Sequence, residues 1–188
     1  MISSSAVLDQ VDTGNLDPLE QTEHYLICQP VLKEYLPSEY LVKTSGEPIS
    51  SREERLPIMD LTDLREFMTR EGLEKTADSP EEVHLYNWVE HAQGPMIFQT
   101  GFFVDYMNDH LLRETPFELV FLPPLKTCSM LYIGPLRWQE NSGLGNVVID
   151  QYAANAGLVD TEKLYRELRH RYDWNSNLHV VEVEISVL

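Results

Sequence analysis

Apolar and β-branched residues cluster in short runs that predict strands over 25–27, 40–44, 96–104, 117–121 and 128–133, with an alternating strand at 180–187. Helical spacing appears twice. Leu61, Leu64 and Met68 share one face of a helix that Asp60 can cap and Gly72 stops, and Val148, Ile149, Tyr152, Ala153 and Ala156 form a stripe that ends at Gly157. Segments 46–57, with Pro48, Ser50 and Ser51 as breakers, and 139–145 read as polar loops. Two segments pull in opposite directions. Ser79-Pro80-Glu81-Glu82 has the form of a helix start, and Leu164 and Leu168 are four apart, so local pattern favours helix in both places.

Internal similarity decides between them. Leu36-Pro37, an apolar strand and Gly46 have a counterpart in Leu122-Pro123, a strand and Gly134. Gly72-Leu73 matches Gly157-Leu158, Leu85-Tyr86 matches Leu164-Tyr165, and the run from Ile97 matches the run from Val180. The offsets are 86, 85, 79 and 83 residues. Two units of this length predict one duplicated domain rather than a solenoid. A strand–helix–strand–strand unit needs strands at both Leu-Tyr elements, so strands are expected there. The organisation read from this is a flexible extension over 1–24 and a single domain over 25–188, with repeats at 25–105 and 117–188. The fold class is α+β: pseudo-twofold units, an antiparallel sheet, helices on one face and a central groove.

Composition narrows the function. The chain has 188 residues, 14 basic against 31 acidic, and a net charge of −17. Phosphate backbones are bound by clustered Lys and Arg, so direct nucleic-acid binding is not expected. The field attracts cations instead. There is no apolar run of transmembrane length and no secretory pattern at the N-terminus, which points to a cytoplasmic protein without membrane contact. Cys28 and Cys128 form no zinc or redox motif, and the histidines have no metal spacing. No P-loop, dinucleotide fingerprint or nucleophile elbow is present, so no cofactor is expected.

The order of Leu122-Pro123, Tyr132-Ile133-Gly134-Pro135, Ala156-Gly157-Leu158, Tyr165-Arg166-Glu167 and the final run Val181–Val187 resembles the GyrI-like, or bacterial-activator effector-binding, domain family over roughly residues 25–188. Ser186 replaces the family's usual proline near the end of the last strand, and Leu-Arg-His follows the Arg-Glu pair. The resemblance implies two strand–helix–strand–strand units around a groove lined by aromatics and a buried carboxylate. It also implies a sensor or sequestering protein for lipophilic, often cationic, small molecules, as in multidrug-binding effector domains of transcription regulators. Other members inhibit gyrase or resemble hydrolases of reactive toxins.

Strand alternation then selects residues. Leu85, Val89, Leu164 and Leu168 are expected to face the helices, while Tyr86, Trp88, Tyr165 and Glu167 face away and line the groove. Trp88 is the expected counterpart of Glu167 across the twofold. Tyr132 sits where the second-half strand meets Gly134-Pro135, and Trp138 lies in a loop able to cover the groove. Aromatic walls and a carboxylate suit a flat lipophilic cation. Arg169 shares the face of Glu167 and can neutralise it. If the protein is an enzyme, Glu167 is the general base of a hydrolase, with Glu182 and Glu184 next in line. A third reading is an interaction protein with a macromolecular partner. Ligand identity and oligomeric state stay open.

Overall fold

The computed structural model describes residues 17–22, 24–88, 95–105, 109–135, 144–158, 164–173 and 178–187. Ten strands and three helices follow in chain order: β1 (Pro18–Gln21), β2 (Leu26–Cys28), β3 (Val31–Tyr35), β4 (Ser38–Thr44), α1 (Arg52–Met59), α2 (Thr62–Glu71), β5 (Glu82–Trp88), β6 (Met96–Val104), β7 (Glu118–Leu122), β8 (Leu125–Gly134), α3 (Leu144–Asn155), β9 (Leu164–Asp173) and β10 (Leu178–Ser186). A 3-10 turn lies at Asp109–Leu112. Both Leu-Tyr elements are strands. Their local helical spacing is overridden by pairing, because β5 and β9 lie side by side at the centre of the sheet.

All ladders are antiparallel, and the strand order is β1-β2-β8-β10-β9-β5-β6-β4-β7, with β3 also on β8. From the β5–β9 seam outward the order is the same in both directions: strand two, strand three, strand one of each half. β3 continues into β4 across Leu36-Pro37, and β7 continues into β8 across Pro123-Pro124. β3 pairs with β8 and β7 with β4, and partner numbers add to 160 in both ladders. The two ladders are therefore one long antiparallel ribbon with a break at the prolines, where a ladder donor is missing. This ribbon joins the ends of the path β4-β6-β5-β9-β10-β8 and closes six strands into a ring. Closure leaves no free edges among those six.

The curl needs local help. A Cβ on Gly101 would stand 1.9 Å from the carbonyl oxygen of Leu41, so only glycine lets β6 fold this tightly against β4. A register shift at Val180/Val181 in the β9–β10 ladder adds a second bend.

The helices pack outside the ring, all on one face of the sheet. Leu61, Leu64, Phe67 and Met68 on and beside α2 bury against Leu41, Phe102, Val104 and Phe117. Ile149 and Ala153 of α3 meet Tyr132, Tyr165, Val181 and Val183, with Ile58 and Met59 of α1 at the margin. α2 ends where the sequence predicts, at Gly72 with φ +65°, and Leu73 N–H closes on the Met68 carbonyl at 2.8 Å. α1 corrects the reading of 46–57 as loop. Ser51 is a helix cap rather than a breaker: its hydroxyl accepts from Glu54 N–H, and the Glu54 carboxylate accepts from Ser51 N–H at 2.9 Å.

Candidate functional site

The sheet has two lined faces, and each carries a buried polar cluster. Outside the ring, under the helices, Thr100, His84, Glu167 and Val183 form a row across β6, β5, β9 and β10. Glu167 is 5% exposed. The Tyr86 hydroxyl donates to Glu167, and burial, then Glu167's charge, push the phenol's pKa well up. Arg169 Nη2 stands 3.5 Å from Glu167 Oε2. His84 is wholly buried, with its ring edge-on to Phe98 at 5.4 Å. Burial, and then the charge of Arg169, hold His84 neutral with a pKa of about 4.

Of the residues selected from sequence, Tyr86, Tyr165 and Tyr132 come together in one cluster, with Glu167 beside them on the same face. That face is the opposite of the expected one. Tyr165 donates to Asp150 of α3 at 2.6 Å, so it points at the helices. Leu85 and Leu168, expected to face the helices, pack inside the ring with Tyr40, Val42 and Val83. Alternation groups residues correctly but carries no information about which side the helices take. Trp88 ends β5 opposite Met96. Trp138 lies outside the described residues.

Inside the ring, polar and aromatic side chains pack against one another. Glu182 and Glu184 are two apart on β10 and point inward. Arg166 Nε donates to Glu184 Oε2 at 2.5 Å, and Arg166 Nη1 donates to the Tyr40 hydroxyl at 2.6 Å. The Arg166 guanidinium also lies 4.3 Å from the centre of the Tyr35 ring. Tyr35 donates its hydroxyl to Glu184. Phe103 packs on Tyr40, centroid to centroid 4.4 Å. Nearer the rim, Glu182 accepts from Lys33 and Ser129 on one oxygen, while His170 Nε2 lies 3.1 Å from the other.

The electrostatics differ along this file. Burial pushes the Glu182 carboxyl up, but bonds from His170, Lys33 and Ser129 outweigh it and hold the pKa at about 2. Glu184 lies deeper. Burial raises its pKa, and Arg166 offsets only part of that rise. The same Glu184 overcomes burial at Arg166 and raises its pKa, so the guanidinium is a permanent charge. Four charged groups in a ring that is also lined by Val42, Val83, Leu85 and Leu168 cost desolvation that apolar packing avoids. Such a cluster is a candidate functional site.

Sequence reasoning missed the interior. It placed Glu182 and Glu184 only as reserves, and Arg166 only as a neighbour of Glu167. Tyr35 and Lys33 sit on β3, a strand not anticipated. The available signal was the alternation Val181–Val183–Ile185 against Glu182–Glu184, which puts two carboxylates on one face of a closing strand.

Among the described residues, no group of three or more His, Cys, Asp or Glu is placed to hold a metal. No described helix is long and apolar enough to cross a membrane.

The described residues form an α+β fold, a closed antiparallel sheet with outer helices. The chain is similar to the C-terminal domain of EcmrR, with a TM-score of 0.65 at 19% identity, over 85% of this chain and 97% of that one. It also matches EcmrR in the EcmrR–DNA complex of EcmrR-RPo, with a TM-score of 0.67 at 15% identity, over 98% of this chain but only 65% of that one. SAV2435 bound to tetraphenylphosphonium matches with a TM-score of 0.56 at 12% identity, over 85% and 94%. A hydrolase encoded by lin2189 from Listeria innocua matches with 0.55 at 12% identity, over 85% and 92%. At these identities the likeness concerns the fold. No family model and no curated protein matches the chain.

Proposed function

We propose that the protein binds a small lipophilic, aromatic molecule inside the ring, as a sensor or sequestering domain of the effector-binding kind. The observation that carries this is the enclosed file of Tyr35, Tyr40 and Phe103 with Glu182 and Glu184. It runs from a half-exposed rim at Lys33 and His170 to a fully buried floor at Arg166. Pockets for small organic molecules combine such apolar and aromatic walls with a few fixed polar groups. The fold supports the reading, since SAV2435 holds tetraphenylphosphonium. Residence in the cytoplasm belongs to the same proposal, and the buried free thiols of Cys28 and Cys128 accord with it.

A second reading places the ligand under the helices, at Glu167 with Tyr86, Tyr165, Tyr132 and Trp88. It is favoured by the burial of Glu167 beside the Tyr86 hydroxyl. The hydrolase alternative belongs here, with Glu167 as base.

The neutral fluorescent probe N-phenyl-1-naphthylamine separates the two. Tyr35→Leu should weaken its binding at least tenfold, and Glu167→Gln should leave it within about twofold. The opposite pattern moves the site to the helix-bearing face.

A further inference from the structure

Both inward carboxylates already hold a cation supplied by the chain. Glu184 holds Arg166, whose side chain is 2% exposed and is fixed by Tyr35 and Tyr40. Glu182 holds Lys33, whose side chain is 39% exposed and which reaches in from β3 at the rim. His170 and Ser129 complete the set of donors to Glu182. The interior is thus neutralised before any ligand arrives. A cation entering it would leave water for a low-dielectric space with no free counter-ion, which is the costly case for a buried charge. The tyrosine and phenylalanine faces carry no such penalty for a neutral ring.

We propose that Lys33 sets the charge selectivity of the interior. Its ammonium fills the seat on Glu182, so the ring takes uncharged aromatic molecules in preference to cations, and removing that ammonium turns Glu182 into a cation site. This rests on the interior being the binding site. Lys33 and not Arg166 is the selecting residue because its ammonium is partly exposed at the rim, whereas Arg166 is buried and stacked on Tyr35. A tethered ammonium also competes at an effective concentration that a dilute ligand does not match.

Phenyltrimethylammonium and tert-butylbenzene have the same shape and differ by one charge. Each is titrated against bound N-phenyl-1-naphthylamine on the wild type, Lys33→Met and Lys33→Met/Glu182→Gln. The wild type should favour tert-butylbenzene. Lys33→Met, which keeps the length of the side chain, should bind phenyltrimethylammonium at least tenfold tighter while tert-butylbenzene changes less than threefold. The added Glu182→Gln should erase the gain. Lys33→Gln, which keeps a donor to Glu182 without charge, serves if the Met variant folds poorly, and should show the same direction. A wild type that favours the cation, or Lys33 variants that gain nothing for it, overturns the proposal. If the fluorescent probe still depends on Tyr35 in that case, interior binding survives and only the selectivity falls. If it does not depend on Tyr35, both fall.

Discussion

Arg166 and Tyr40 meet 2.6 Å apart although β5 and β6 lie between their strands in the sheet. In a flat sheet that separation is three strand spacings, about 14 Å. The bond therefore measures how far the sheet has curled, and it places a guanidinium at the centre of the ring.

That position makes Arg166 costly to remove. Arg166→Met leaves Glu184 charged and buried, so stability should fall by about 3–5 kcal/mol. Glu184→Gln in the same background should restore much of the loss. Urea unfolding checks both, and equal stability of the single and double variants would show that Glu184 does not depend on Arg166.

Acid sensitivity should begin at His84. Its pKa is depressed from 6.5 to about 4 in the folded protein. Between these values the unfolded chain binds the extra proton, so stability is complete above about pH 6.5 and falls as pH drops toward 4. The loss attributable to His84 is about 3 kcal/mol. His84→Leu should flatten the profile of unfolding free energy against pH in this window. Glu182, depressed to about 2 from 4.5, acts only below pH 4.5, where its contribution is lost in turn. A His84→Leu profile parallel to the wild type's between pH 6.5 and 4.5 would contradict the assignment.

Gly101→Ala tests ring closure. The new methyl group meets backbone, not a movable side chain, so β4 and β6 must separate. A loss of at least ~3 kcal/mol is expected, in the range reserved for named steric faults. A variant as stable as the wild type would mean that the ring has slack.

α1 should exchange its amides faster than α3. None of its described side chains is buried, and Pro57 interrupts its hydrogen bonding. Hydrogen-exchange mass spectrometry should show α1 opening well below the global unfolding free energy. Equal protection of α1 and α3 would refute this.

The two halves should superimpose through a twofold rotation. A shift of 87 lays Val31–Tyr35 on Glu118–Leu122, and a shift of 83 lays β5 within β9. The second shift puts His84, not Trp88, on Glu167, and these two are also direct partners across the seam. A superposition that instead pairs Trp88 with Glu167 would support the original alignment.

The two central strands were legible as strands because the repeat demanded them where helical spacing suggested otherwise. Three things were not legible. The side taken by the helices depends on packing partners far away in sequence, and alternation is blind to it. β3 was hidden because its pattern is mostly exposed, Val31 and Leu32 both by more than half, so it lacks the apolar run that marks a strand. The register between halves differs by four residues from the one suggested by matching Leu85-Tyr86 to Leu164-Tyr165, since similar dipeptides outweighed the ladder, which a sequence does not display.

The ribbon also bears on the rate of folding. Its partners are 76 residues apart at Val42–Glu118 and 98 at Val31–Ser129, so it is slow to form during folding, because chain entropy is lost before any contact rewards it. Its weakest point is the unpaired break at Leu36-Pro37, where Leu36 is 84% exposed. On the proposed interior site, opening at this break is the expected route by which a molecule enters and leaves.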